Sequence, residues 1–295
     1  MYTCFKISSF FLNIAIINVN RINWLEGGYF FMEKRFLTPK EVANTIVNVG
    51  VMRANLKTLP MVSLGILAGL FIAFGGLGNI IISQTLGNID AGLAKFAGAA
   101  VFPVGLMLVV IAGAELFTGN NLMTLSLMEK KITLSQMFRN WGIVWIANLV
   151  GSIFLVLIVF YGGILSGDAG TKAMAIAESK ATLDVTTLIF RGILCNIIVV
   201  LAVWMATSAQ DIISKIFACW FPIMLFVLCG FEHSVANMYF IPMGMILGAK
   251  VTIAQLVKNL VFVTIGNIIG GAIIIPFLYR YAYLKDNVKA AKQES

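Results

Sequence analysis

Ala114-Glu115-Leu116-Phe117-Thr118-Gly119-Asn120 sets a glutamate and an asparagine inside residues 97–128, a run that carries no other charge. A second apolar run, 216–249, is interrupted in the same way by Phe231-Glu232-His233-Ser234-Val235-Ala236-Asn237. Both interruptions read Glu, four residues, Asn. A membrane span needs about 20 apolar residues, and runs this long exceed it. Backbone that leaves the helix at membrane depth is tolerated only where protein buries it or it lines a watery cavity. Two matching breaks therefore predict two re-entrant elements that meet at a pore or binding site.

Outward from the breaks, the whole chain reads as membrane protein. It is 60% hydrophobic and 12% charged, about half the charge of a soluble domain, with mean hydropathy +0.94. The fold class expected is all-α integral membrane: six transmembrane helices near 61–82, 98–128, 141–162, 186–207, 216–249 and 255–279, the second and fifth broken. Such runs far exceed the length of a barrel strand. The matching breaks are offset by three spans, so the halves form a 3+3 inverted repeat. Other features recur in order. Pro103 precedes Glu115 by 12 residues and Pro222 precedes Glu232 by 10. Asn148-Leu149-Val150-Gly151 and Asn267-Ile268-Ile269-Gly270 begin 33 and 35 residues after their glutamates. Gly65-x3-Gly69, Gly244-x3-Gly248 and Gly266-x3-Gly270 place glycines on one helix face, where backbones can approach.

The formal net charge of +8 is distributed as membrane topology requires, and no nucleic-acid partner is expected. Thirteen basic residues, from Lys34 to Lys57, in Lys130, Lys131, Arg139 and Lys215, and from Arg280 to Lys292, fall on one side; six fall on the other. The positive-inside rule then places both termini in the cytoplasm, with a basic face toward anionic lipid. Residues 32–60 are expected to form a cytoplasmic amphipathic segment begun by Pro39 and Glu41, 61–283 the channel domain and 284–295 a cytoplasmic tail. Residues 1–31 read as an N-terminal extension that translation from Met32 would omit. Cys4, Cys195, Cys219 and Cys229 show neither a disulfide framework nor metal-ligand spacing.

His233 is the only histidine in the chain and stands mid-membrane beside an acid. A polar group there is costly and usually faces a pathway, and imidazole can exchange a proton near neutral pH. Glu115 and Glu232 are expected to accept hydrogen bonds from backbone N–H groups freed at the breaks, with proton relay or cation binding as the rival role. Asn120 and Asn237 are expected to cap the half-helices. Two half-helix N-termini directed inward would attract anions. By periodicity alone Phe102, Leu106, Phe117, Val199 and Phe226 are packing residues. Lys180 falls in a long loop, 162–184, where a solvated lysine is the default.

The two break motifs, together with Pro39-x-Glu41-Val42, Ile193-Leu194-Cys195-Asn196 to Trp204-Met205, Ile241-Pro242-Met243-Gly244 and Thr264-Ile265-Gly266-Asn267-Ile268-Ile269-Gly270-Gly271, resemble the formate/nitrite transporter family from about Met32 to Tyr283. The resemblance implies an aquaporin-like fold and a homopentamer in a bacterial plasma membrane. Each protomer would carry small monovalent weak-acid anions (formate, nitrite, lactate or hydrosulfide) with protons, and no cofactor. It puts His233 at the pore centre with Thr118 and Asn267. Phe102 and Phe226 would form an outer constriction, and Leu106, Leu116, Phe117 and Val199 a cytoplasmic one. Lys180 would draw anions in. Aquaporins share the half-helix plan, but their paired Asn-Pro-Ala motifs are replaced here by Gly119-Asn120-Asn121 and Ala236-Asn237-Met238. A sodium-coupled carrier rests on the two glutamates alone. An enzyme would need a nucleophile or metal motif that is not evident.

Overall fold

A computed structural model describes residues 36–285; the expected extension at 1–31, Cys4 and most of the expected tail lie outside that range. Thr38 and Glu41 form a capping box that starts α1 (Pro39–Ala54), the expected amphipathic segment, with Val42, Ala43, Ile46 and Val47 buried. The first span is α2 (Thr58–Ser83). The second begins at α3 (Ala91–Val101), seven residues earlier than expected, because Asp90 accepts the Leu93 N–H and caps the helix ahead of the apolar run. It continues through α4 (Val104–Met107) and a π-helical turn, Leu108–Gly113. After the break come α5 (Phe117–Asn120) and α6 (Met123–Met128). The first re-entrant piece is thus two short helices joined at Asn121 and Leu122.

The third span is α7 (Leu134–Tyr161), opened by a Thr133–Gln136 capping box. The expected loop 162–184 is largely helical. Gly167–Ala181 forms α8, whose Ala173 and Ala177 pack under Gly244. Small residues make this contact possible. The fourth span is α9 (Val185–Ser208), and the fifth divides into α10 (Ile212–Leu228) and α11 (Ser234–Ile246) around the second break. The sixth combines α12 (Ile253–Ile268), a π-helical turn at Ile269–Ile274 and α13 (Ile275–Tyr283), and ends four residues later than expected. Among the described residues five helices are long and apolar enough to cross a membrane, and α10 with α11 completes a sixth crossing as a broken pair.

The inverted repeat is visible in how the halves pack. α2 lies against α7, where a Cβ at Gly69 would collide with the Asn148 carbonyl and one at Gly151 with the Ile66 carbonyl. α9 lies against α12 in the same manner: Gly266 meets the Ile189 carbonyl and the next helical turn, at Gly270, meets the Ile193 carbonyl. Close backbone approach replaces apolar side-chain contact, as expected where lipid competes for every apolar face. Gly248 does not share that role. With φ +106 it ends α11 in a turn only glycine adopts easily.

Candidate functional site

Each break is held by one asparagine from the third helix of its own half. The Asn148 Oδ1 accepts the Phe117 N–H (3.0 Å), while its Nδ2 donates to the carbonyls of Glu115 (2.9 Å) and Gly65 (2.8 Å). The Asn267 Oδ1 accepts the Ser234 N–H (3.0 Å), and its Nδ2 donates to the carbonyls of Glu232 (3.0 Å) and Gly192 (2.8 Å). The amides of Glu115 and Glu232 donate to the Leu64 and Arg191 carbonyls, both at 3.2 Å. Unpaired backbone in a bilayer costs several kcal/mol per group, roughly, so these bonds are what permit the breaks.

The expectation that Glu115 and Glu232 accept from free backbone amides is therefore corrected. A carboxamide both donates and accepts, so it can satisfy both sides of a break, whereas a carboxylate only accepts. The carboxylates instead anchor polar chains. Glu115 accepts from Arg53 (3.1 Å) and Asn120 (2.6 Å), and Asn120 also donates to Asn140 (2.8 Å). Glu232 accepts from Lys180 (2.9 Å) and Asn237 (2.7 Å), and Asn237 also donates to Asn259 (2.7 Å). Asn120 and Asn237 are thus linkers, not helix caps. The Asn140 amide reaches the Arg53 carbonyl and the Asn259 amide the Lys180 carbonyl, which closes each chain on itself.

Arg53 is thereby the inverted-repeat counterpart of Lys180. In the sequence alone Arg53 counts only as one of the basic residues that set topology. The signal available was position: each stands near the C-terminal end of the amphipathic helix that precedes its half's first span. Lys180 itself is ion-paired and mostly buried, its ammonium 5.6 Å from the Phe240 ring centroid, so the solvated-loop default does not hold.

All four residues between each glutamate and its asparagine differ between the halves, and two of these differences matter at the centre. His233 follows Glu232 where Leu116 follows Glu115, and Thr118 occupies the position that Val235 has in the other half. These two departures from the repeat touch each other: Thr118 Oγ1 lies 2.8 Å from His233 Nε2, and both residues are buried. His233 Nδ1 accepts the Ala236 N–H at 3.0 Å and so caps α11. A backbone N–H can only donate, which leaves a neutral imidazole with its proton on Nε2, donating to Thr118. The Thr118 hydroxyl hydrogen is then free.

Cavities approach this pair from both ends of α9. One, about 400 Å³, is lined by His233, Glu232, Lys180, Arg191 and the rings of Phe102, Phe226 and Phe240. Phe102 meets Phe226 edge to face with centroids 5.7 Å apart, and Phe226 stacks on His233 at 5.9 Å. The other, about 700 Å³, is lined by Arg53, Glu115, Leu106, Leu116, Gly119 and Lys215, among others. Phe117 and Val199 are buried but line neither of these cavities; Phe117 packs edge-on against Trp141. Asn267 has both amide hydrogens committed to carbonyls.

Asn196, beside the pair, lay outside the expected site residues. Its Nδ2 lies within hydrogen-bond distance of the carbonyls of Thr118 (3.3 Å) and Asn267 (2.8 Å) and of the Asn121 Oδ1 (2.8 Å). The space for this amide exists because residue 271 is glycine. Among the described residues no group of His, Cys, Asp and Glu side chains could hold a metal ion; Cys195 and Cys219 are buried free thiols.

Paired half-helices within an all-helical, six-crossing inverted repeat define the class, a multi-pass membrane protein of aquaporin-like architecture. Residues 40–281 match the family model described as formate/nitrite transporter. A probable formate transporter of Methanothermobacter thermautotrophicus is 42% identical over 86% of this chain and 100% of its own. A formate channel of Bacillus thuringiensis is 41% identical over 85% of this chain and 98% of its own. Among solved structures, a pentameric formate channel with formate bound superposes with TM-score 0.70 and 31% identity, covering 77% of this chain and 98% of its own. The chain belongs to the formate/nitrite transporter family.

Proposed function

We propose that the protein passes small monovalent weak-acid anions (formate, nitrite or hydrosulfide) between its two cavities, with the His233–Thr118 pair as the central contact. The carrying observation is that this pair, where the inverted repeat loses its symmetry, lies between a cavity that reaches His233 and one that reaches Leu116 and Gly119. Three relatives or structural neighbours bear formate in their names or titles, and the solved neighbour is a pentamer, which supports formate as first substrate and a homopentamer as the working unit. The basic end that holds Arg53, Lys215 and Arg280 faces the cytoplasm of a bacterial plasma membrane, with both termini on that side and residues 32–60 forming the surface segment.

Lysine and arginine on the Lys180 side gather the anion. Beyond the Phe102–Phe226 contact the medium is of low dielectric, where the conjugate acid is far less costly than the anion. The Thr118 hydroxyl donates to the substrate oxygen or sulfur. His233 orients that hydroxyl through its Nε2–H, and the neutralising proton enters with the substrate from the vestibule. An imidazolium would need a proton on Nδ1 and would break the bond to Ala236. The Leu106 and Leu116 side chains then exclude hydrated ions on the way out.

The test is initial uptake of formate, nitrite, hydrosulfide, lactate, chloride and sulfate into proteoliposomes across a pH series. Weak-acid uptake should rise as external pH falls, and sulfate uptake should be near background. Anion flux that requires sodium, or passage of glycerol in preference to formate, would replace this reading with a coupled carrier or a neutral-solute channel.

A further inference from the structure

The cavity on the Lys180 side holds more charge than a single monovalent anion calls for. Lys95 from α3, Lys172 and Lys180 from α8, and Arg191 from α9 all line it, and Glu232 is its only carboxylate. Four cations against one anion leave a formal excess of three, with His233 neutral. Glu232 is already paired with Lys180, whereas no described residue forms an ion pair with Lys95, Lys172 or Arg191. The opposite cavity has Arg53 and Lys215 against Glu115, an excess of one, although it is the larger, about 700 against 400 Å³. Charge density is therefore strongly lopsided across the protein.

We infer that the Lys95–Lys172–Arg191 vestibule is a binding site for a small divalent oxyanion, which lodges there and blocks passage from that side only. The inference rests on the proposed anion path. A cavity of about 400 Å³ admits a tetrahedral oxyanion with part of its water. Charge-assisted bonds from lysine and arginine are the strong class of hydrogen bond, and arginine presents a fork to two oxygens. The barrier beyond the vestibule decides the outcome. The aromatic contact between Phe102 and Phe226 leads into a buried region, and desolvation cost rises with the square of charge, about fourfold for a dianion. A monovalent weak acid can be neutralised by one proton; sulfate at neutral pH cannot. It is therefore attracted more strongly and released only backward.

The probe is sodium sulfate against formate uptake, in proteoliposomes whose protein orientation is fixed by a terminal tag, with ionic strength held constant by chloride. Sulfate on the Lys180 side should halve uptake at a concentration at least about tenfold lower than on the Arg53 side, an asymmetry in line with charge focusing in clefts. K95Q/K172Q/R191Q should raise the halving concentration about tenfold relative to its own uninhibited rate, and Lys215→Gln should not. The single variants K95Q and K172Q, both on exposed or half-buried helix positions, cover failure of the triple variant to assemble. Labelled sulfate binding to the detergent-purified protein reads the site without transport. Binding that K95Q or K172Q weakens supports the site even if formate flux is absent, in which case the transport reading alone fails. Formate flux with no sulfate binding, equal block from both sides, or measurable sulfate uptake overturns the inference.

Discussion

Asn148 and Asn267 each serve both sides of a helix break with one carboxamide, so their removal strands several buried groups at once. Alanine at either position should destabilise the protein by more than the roughly 1–3 kcal/mol of a single buried unsatisfied group. Aspartate should not rescue it, since it lacks the donors that reach Glu115 and Gly65 or Glu232 and Gly192. Heat-induced loss of the assembled form in detergent measures both effects. At the centre, Thr118→Val keeps shape and removes the hydroxyl; formate uptake should fall about tenfold, the cost of leaving one buried polar group without its partner. His233→Asn should lower the rate while keeping its rise at acid pH, because the histidine is assigned no proton of its own to give. A flat pH profile in that variant would make His233 the proton donor.

Several of these residues could be found in the chain without coordinates. The Glu-x4-Asn pattern, the asparagines 33 and 35 residues beyond it and the lone histidine were all legible as polar exceptions in apolar sequence. Which atom bonds which was not, because asparagine and glutamate both suit a freed helix end in principle. Arg53 and Asn196 were obscured for different reasons. Arg53 looked like any basic residue before a first span, and Asn196 acts through three partners from 71 to 78 residues away.

At the scale of elements, the helix pairs α2–α7 and α9–α12 are set by glycine. Gly69→Leu and Gly270→Leu would each force a side chain into a facing carbonyl, since even a Cβ there overlaps the neighbouring backbone. Overpacking of this kind costs about 1–3 kcal/mol or more, so both should reduce the yield of folded protein, read by size-exclusion profile. Gly142→Ala, on α7 with no neighbour within 4 Å of its added Cβ, should have no such effect. Apolar run length placed these elements but misjudged their ends. Asp90 starts α3 early through a cap that hydropathy does not register, and α8 emerged from what composition alone marked as loop.

The whole molecule is an inverted repeat in its scaffold and not in its centre or its charge. Glutamate, asparagine and cation chains recur in both halves, while His233 against Leu116 and Thr118 against Val235 do not. A symmetric scaffold can hold two breaks open with little else; the asymmetry is where substrate chemistry would be expected. On the proposed route the anion passes Gly119, which lines the Arg53-side cavity and adjoins Thr118 in sequence.

Gly119 offers the most direct test, because a Cβ added there meets only Val203 at 3.5 Å, an ordinary contact. Gly119→Phe, on the wall of the Arg53-side cavity, should fill the passage there. Formate uptake into proteoliposomes should drop to the background of empty vesicles. Uptake at the unmodified protein's rate, from a variant that elutes and melts normally, would mean that the anion does not travel between these cavities.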